Sequence, residues 1–493
     1  MPFARQPQQP LVTFAVYMLC FSLLYLYVNA FRSTIIDDAF IQFQYADTLA
    51  KYGTWGFYPD HSTNTATSAL NVLLLSVFTL ITGSTVTGAI LFTALLLLLL
   101  LIILQNLSHK LFGTPFFGLF LFFAIIANPL LLSCLGMEVM LFAVLWIASL
   151  SLLVYNRCRW LAACLALLTL ARPDGFLLFV IVGLLGAFSS LQAKEKLVFI
   201  SIYILSLLPW HLFAWFQLGS VVPDTLLIKM GQQAWLGNVS FGSGLGSLYF
   251  SRFPLEMLFS FLLLPLIFLG VRSTNRDARI FALIAIAYGA VHYAAYSTLK
   301  VPPYHWYYTH LVLSVAAAGS VGAAAIARRI KGLRYLLLFL PISGLLYVAA
   351  KSGIPVNEAP VHTNWGTHEQ YREAGEWIEQ NTNPDETILM GGEIGTLAYY
   401  SDRILLNNFS NQWALQRLLN RNINEKSEWK KNVFRLNFLW RKEAKRYPRS
   451  NYRMGHVFHP HRPATDPSII YFHPTSTKWM PEGVLYVRKT RPQ

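Results

Sequence analysis

Two adjacent carboxylates, Asp37 and Asp38, follow the first long apolar run in the stretch Ile35-Ile36-Asp37-Asp38-Ala39-Phe40. Charges at the end of an apolar segment are costly unless they meet water or a partner, so the pair is either a solvated acidic loop or a site. A carboxylate within hydrogen-bond reach of a hydroxyl takes its proton as that oxygen attacks an electrophile. Arg172, Lys229 and Lys300 stand in later interruptions of the apolar pattern. Cations in such places hold an anionic group such as a phosphate. Adjacent carboxylates in extended or loop backbone point in different directions, so the two do not act on one proton.

The elements that must position these residues are apolar. Of the 493 residues 55% are hydrophobic and only 13% charged, about half the charge of a soluble domain. Apolar runs of about 15–22 residues recur, the length a spanning helix needs. This predicts a polytopic α-helical membrane protein with about 11 transmembrane helices, at about 11–30, 86–106, 114–132, 137–155, 159–171, 176–190, 197–217, 254–271, 278–297, 306–327 and 333–350. The first run lacks a small-residue cleavage pattern and reads as a retained helix rather than a signal peptide. The short apolar segment 66–82 decides the sidedness of everything after it. If it spans, Arg157, Arg159 and the cluster from Arg328 to Arg334 fall outside. If it lies along the external interface, they fall inside, and the inner loops carry about twice the basic residues of the outer ones. The rule therefore favours a juxtamembrane helix, a cytoplasmic N-terminus and an external C-terminus.

On that topology Asp37, Asp38, Arg172, Lys229 and Lys300 share the external face. The net charge of +15 is distributed over short inner loops and the C-terminal tail, which calls for no nucleic acid. Anionic polymer or lipid head groups are the partners the basic tail suits. Four cysteines, all in or beside apolar runs, give no metal spacing or disulfide framework. His61 and His292 have no ligand-spaced partners in the sequence, so no protein-held metal is expected from them. From about Lys351 the composition turns polar and charged, dividing the chain into a membrane domain, 1–350, and an external domain, 351–493. In the latter, Tyr371–Gln380 reads as an amphipathic helix and Thr387–Met390 as a strand, hence an α/β domain. Residues 440–493 are basic and Pro-rich with poor periodicity. Gly242-Ser243-Gly244-Leu245-Gly246 lacks the spacing and the preceding strand of a dinucleotide loop. Two related halves with midplane charges, the mark of many transporters, are not found.

Asp37-Asp38-Ala39-Phe40-Ile41, with Tyr45-Ala46, Leu49, Gly53, Gly56, Tyr58-Pro59 and Thr67-Ser68, resembles the first external loop of polyprenyl-phosphate-sugar-dependent GT-C glycosyltransferases, nearest the branch of mycobacterial terminal arabinofuranosyltransferases. Further motifs follow in order. Gly136-Met137-Glu138 resembles the family's Gly-Leu-Glu, although Glu138 would equally answer a helix dipole. Arg172-Pro173-Asp174-Gly175 resembles Arg-Pro-Glu-Gly, although Arg172 and Asp174 would equally pair within the turn. Pro223-Asp224-Thr225 with Lys229 resembles Pro-Asn-Thr followed by Lys, Asp224 departing from the Asn. His305 and Trp306 lie in an aromatic turn that serves equally as an interfacial belt. Gly392-Glu393-Ile394-Gly395 and Tyr399-Tyr400-Ser401 resemble a family segment with Gly-Asp-Ile-Gly, and Asn407-Asn408 replaces an Asp that relatives often carry.

The resemblance implies an inverting glycosyltransferase of the bacterial inner membrane. It would use a polyprenyl-phosphate-linked sugar and an extracytoplasmic cell-envelope glycan or glycolipid acceptor. An acidic residue of the first loop would be the base, and Asp37 takes that role first by its match to the leading acid of the Asp-Glu pair in protein mannosyltransferases. Asp38 would orient the acceptor or a divalent metal, or the two would exchange roles. Arg172, Lys229 and Lys300 would hold the donor phosphate, and Glu138, Asp174, Asp224, His305 and Trp306 would line the substrate site. A flippase of lipid-linked sugars and a lipid A aminosugar transferase of the same fold are the alternatives. Arabinose and mannose both fit.

Overall fold

In the computed structural model of the chain, residues 10–184, 192–232, 239–330, 332–424, 428–442, 447, 450–458 and 468–490 are described. Among them, six helices are long and apolar enough to cross a membrane: Thr85–Phe112, Ala193–Leu218, Pro254–Val271, Arg276–Thr298, His305–Arg329 and Leu333–Ser352. Shorter apolar helices accompany them, including Phe14–Asn29, Val139–Val154 and Cys158–Ala171. Large apolar side chains such as Leu80, Leu205, Leu336 and Phe339 face outward, the pattern of helices solvated by lipid. The chain is a multi-pass membrane protein. His305–Arg329 is the most enclosed of the six. Its Ala- and Gly-rich middle lets neighbouring backbone approach, since a Cβ at Gly319 would lie 2.7 Å from the Leu263 carbonyl oxygen.

One expected span is interrupted and one expected break, after residue 171, is present, each for an identifiable reason. The segment 114–132 is helical over Phe116–Ile126 and restarts at Pro129–Leu132. Pro129 cannot donate to the preceding turn, and the Asn128 side chain accepts from the Leu130 and Leu131 amides to open a new one. Cys158–Ala171 stops at Arg172, held extended (φ −154°, ψ 134°) before Pro173, and a short turn Pro173–Gly175 leads into Phe176–Val182.

The acidic pair lies in a helix, not a loop. Asp37–Tyr52 starts on the pair and ends at Gly53 in a left-handed cap (φ 68°). Asp37 and Asp38 occupy its first turn, where carboxylates complement the helix dipole, and they point roughly 100° apart around the axis. The segment 66–82 forms a 14-residue helix, Ala69–Thr82, started by the Ser68 hydroxyl accepting from Asn71 N–H. The long connection 218–253, expected as a loop, carries the helix Thr225–Gln232 and a helical turn from Phe241.

The C-terminal part packs the helix His368–Asn381, opened by a Thr367/Gln370 capping box, on a five-stranded sheet. Its strands are β1 (Thr387–Met390), β2 (Ile404–Leu406), β3 (Tyr452–Phe458), β4 (Ile469–Thr475) and β5 (Gly483–Lys489), in the order β2-β1-β3-β5-β4. β1 runs parallel to β2 and β3, whereas β5 is antiparallel to β3 and β4. The last three strands occupy the region whose periodicity was too poor to read. This part rests on Asp37–Tyr52 through the helix Gly395–Ser401. A Cβ at Gly395 would collide with the Asp37 carbonyl and lie 2.9 Å from Ile41 N. Gly395→Val is therefore expected to lower the melting temperature of the purified protein by several degrees, read by differential scanning fluorimetry.

Candidate active site

The site is built from five places far apart in sequence, with two further segments beside them. Asp38, Ile41 and Gln42 come from the first turns of Asp37–Tyr52, Glu138 from the start of Val139–Val154, and Arg172 from the extended break before Pro173. Lys229 comes from Thr225–Gln232 and Trp306 from the first turn of His305–Arg329. All of these line one small cleft, joined by Thr65, Thr67 and, from the C-terminal part, Phe409. The Thr225 hydroxyl donates to the Thr65 carbonyl (2.8 Å), which ties the helix bearing Lys229 to the cleft wall.

Lys229 Nζ lies 3.5 Å from Asp38 Oδ1 and 4.0 Å from the centre of the Tyr304 ring, with Trp306 and Phe409 beyond. The ammonium is thus held between one carboxylate and aromatic faces. Arg172 is buried between two carboxylates. Its Nη1 lies 2.5 Å from Glu138 Oε1, while Nε and Nη2 meet Asp174 at 3.1 and 3.0 Å. The Gln42 amide donates to the other Glu138 oxygen and accepts from Asn71 Nδ2 (2.7 Å). Three carboxylates (Asp38, Glu138, Asp174) and two cations (Arg172, Lys229) leave the group one negative charge with its histidines neutral.

Asp37 lies elsewhere. Its carboxylate is buried and accepts from the backbone amides of Ile394 (3.1 Å), Gly395 (3.0 Å) and Thr396 (2.7 Å), capping the helix Gly395–Ser401. Its own amide donates to Asn364 Oδ1 (3.2 Å). Burial, and then the neighbouring Asp38 charge, push its carboxyl up to about 6 against the pull of those amides. Glu393 adjoins it, accepting from Asn364 Nδ2 (2.8 Å), the Trp365 amide and the Tyr371 hydroxyl. Burial and the Asp37 charge push Glu393 up to about 8 from an ordinary 4.5. Between those two values the folded protein holds a proton that the unfolded chain has released. The contribution of Glu393 to stability is therefore greatest below pH 4.5 and falls as pH rises to about 8. Glu393→Gln is expected to flatten the loss of melting temperature between pH 6 and 8.

The remaining expected residues divide. Asp174 stands behind Arg172, also accepting from the Tyr296 hydroxyl (2.7 Å). Asp224 does not line the cleft and is buried in an ion pair with Arg441 (3.1 and 3.2 Å). His305 is buried with Nδ1 3.1 Å from the Thr363 hydroxyl, and Lys300 is exposed outside the cleft lining at φ 51°. His292 does have neighbours: Asp174, His292 and His310 bring potential ligand atoms within 4.8 Å of one another. Both Nε2 atoms lie 3.4 Å from Asp174 Oδ2. The two imidazoles, however, stack at 4.2 Å and 18°. An imidazole lone pair lies in its ring plane, so stacked rings do not converge on one ion, and the trio as arranged orients Asp174. Gln42 was missed, although it stands one helical turn from Asp38 and follows once 37–52 is known to be a helix. Phe409 carries no local signal.

A scan against protein-family models gives no match, and a search of curated protein sequences gives none. Solved structures do match. ArnT from Cupriavidus metallidurans bound to undecaprenyl phosphate aligns over 97% of this chain and 99% of its own, at 13% identity and TM-score 0.58. Mycobacterial arabinofuranosyltransferase AftD aligns over 97% of this chain and 40% of its own, at 12% identity and TM-score 0.51. The Archaeoglobus fulgidus oligosaccharyltransferase tethered to an acceptor peptide aligns over 89% and 69%, at 12% and 0.50. The chain has the fold of the GT-C glycosyltransferases.

Proposed function

We propose that the chain is an inverting glycosyltransferase that moves a sugar from a polyprenyl-phosphate donor to an extracytoplasmic cell-envelope glycan or glycolipid. The observation that carries this reading is a single cleft holding an accessible carboxylate, Asp38, beside the cations Lys229 and Arg172 on a GT-C fold. ArnT, which matches along its whole length, is a structure with undecaprenyl phosphate bound, which supports a lipid-phosphate leaving group. Asp38, rather than Asp37, is the base. It takes the acceptor hydroxyl proton as that oxygen attacks the anomeric carbon from the face opposite the phosphate. The bond from that carbon to the phosphate oxygen breaks, and the electron pair leaves on the phosphate, met by Lys229 with Arg172 beside it. Glu138 and Asp174 hold Arg172 in place, and Trp306 closes the cleft.

The positive-inside bias supports a cytoplasmic N-terminus, with the cleft and the C-terminal part facing outward across a bacterial inner membrane. The helix Ala69–Thr82 then lies along the outer interface. A lipid A aminosugar transferase remains the second reading, favoured by the full-length match to ArnT. A panel of radiolabelled polyprenyl-phosphate sugars, including 4-amino-arabinose, offered to protein in nanodiscs with crude envelope glycan or lipid A, separates the two. Transfer from a neutral sugar to glycan supports the first reading and transfer of the aminosugar to lipid A the second. Translocation of a lipid-linked sugar without transfer from any donor removes both.

A further inference from the structure

A second cavity, of about 430 Å³, opens on the other side of the wall that bounds the cleft. That wall joins residues 63–65 to 224–225. Asp224 N–H donates to the Asn64 carbonyl (2.7 Å) and the Thr225 hydroxyl to that of Thr65. Thr65 and Thr225 line the cleft, whereas Arg441, the ion-pair partner of Asp224, lines the second cavity with Trp55, Asp60, Gln217, Gln412 and Lys442. The volume falls within the range of small-ligand sites. Its charge differs from that of the cleft. Arg441 is committed to Asp224, and the lining carries one further cation, Lys442, and one carboxylate, Asp60, so it has no cluster of cations of the kind that would hold a phosphate. Two primary amides, a carboxylate and an ammonium instead supply both donors and acceptors, which suits hydroxyl groups. At the cavity wall Trp55 is 3% exposed, and its Nε1–H has no hydrogen-bond partner among the described residues. That N–H is itself enclosed, so Trp55 contributes to the wall of the cavity and not a donor to its interior.

We propose that this cavity binds an uncharged sugar segment of the acceptor glycan, remote from the hydroxyl that reacts at Asp38. The inference rests on the glycosyltransferase reading and adds an acceptor subsite to it.

The test uses full-length protein in nanodiscs without donor. Calorimetric titrations follow a neutral arabinofuranosyl tetrasaccharide, a mannosyl tetrasaccharide and undecaprenyl phosphate. One tetrasaccharide is expected to bind, with Kd raised about tenfold by Gln217→Ala and by Gln412→Ala, which remove the two lining amides. Undecaprenyl phosphate binding should stay unchanged in both. Gln217 is exposed, so its variant keeps the fold, and an unchanged melting temperature confirms that. Failure of both tetrasaccharides to bind, or an unaltered Kd in both variants, overturns the proposal. A loss of undecaprenyl phosphate binding in the variants also overturns it, by assigning the cavity to the donor. Transfer that proceeds with an unaltered acceptor KM in Gln217→Ala removes the subsite while leaving glycosyl transfer standing. Tetrasaccharide binding without transfer from any donor keeps the subsite and removes the transfer reading.

Discussion

Asp38→Asn is expected to lower the transfer rate by about a hundred- to ten-thousand-fold, the usual share of a positioned general base. The substitution keeps the shape of the side chain and removes only its capacity to take the acceptor proton. Oδ1 of Asp38 meets Lys229 at 3.5 Å, and Oδ2 makes no hydrogen bond among the described residues, leaving it free to face an acceptor. Because Lys229 and Arg172 remain, the Kd for undecaprenyl phosphate should change by less than about threefold, and the melting temperature should be preserved. Single-turnover transfer measured beside equilibrium binding of the lipid phosphate separates the two quantities. Full transfer by Asp38→Asn would remove Asp38 from the chemistry. Weakened lipid-phosphate binding with transfer intact would make it a partner of Lys229 only.

Asp37→Ala, one position earlier, is expected to act on the fold. It removes the side chain that accepts from the amides of Ile394, Gly395 and Thr396. Three buried donors lose a charged acceptor, a loss of about 3–5 kcal/mol by analogy with breaking a buried ionic contact. The helix Gly395–Ser401 packs directly on Asp37–Tyr52, so the loss is felt where the C-terminal part meets the membrane helices. Limited proteolysis should cut Asp37→Ala between these parts faster than wild type, and the melting temperature should fall by several degrees. Asp37→Asn, which keeps one acceptor oxygen, should be intermediate. Unaltered stability in Asp37→Ala combined with lost turnover would return Asp37 to the role of base. The pair thus separates two functions that neighbouring carboxylates of one type would otherwise share.

The resemblance to GT-C enzymes picked out the acidic pair, Glu138, Arg172 and Lys229, and four of these side chains (Asp38, Glu138, Arg172 and Lys229) meet in one cleft. Apolar run length located the helices because lipid imposes a local constraint: every spanning backbone must satisfy its own hydrogen bonds over a fixed thickness. The breaks at Pro129 and Pro173 were also written locally, in residues that cannot continue a helix. The poor periodicity of 440–493 concealed three strands, because their pairing partners lie up to 60 or so residues away and pairing rather than local pattern builds the sheet.

What the chain determined by itself was its membrane character, places where its helices stop, and a short set of acids and cations that interrupt the apolar runs. Only the tertiary structure decided which acid does what. Asp37 and Asp38 have the same chemistry and adjacent positions. The helix that begins at them turns one toward the amides of residues 394–396 and the other toward Lys229. It likewise moved Asp224 out of the cleft, because Arg441, more than two hundred residues later, supplies the counter-charge that its burial requires. Those choices depend on contacts between distant segments, and no local pattern encodes them.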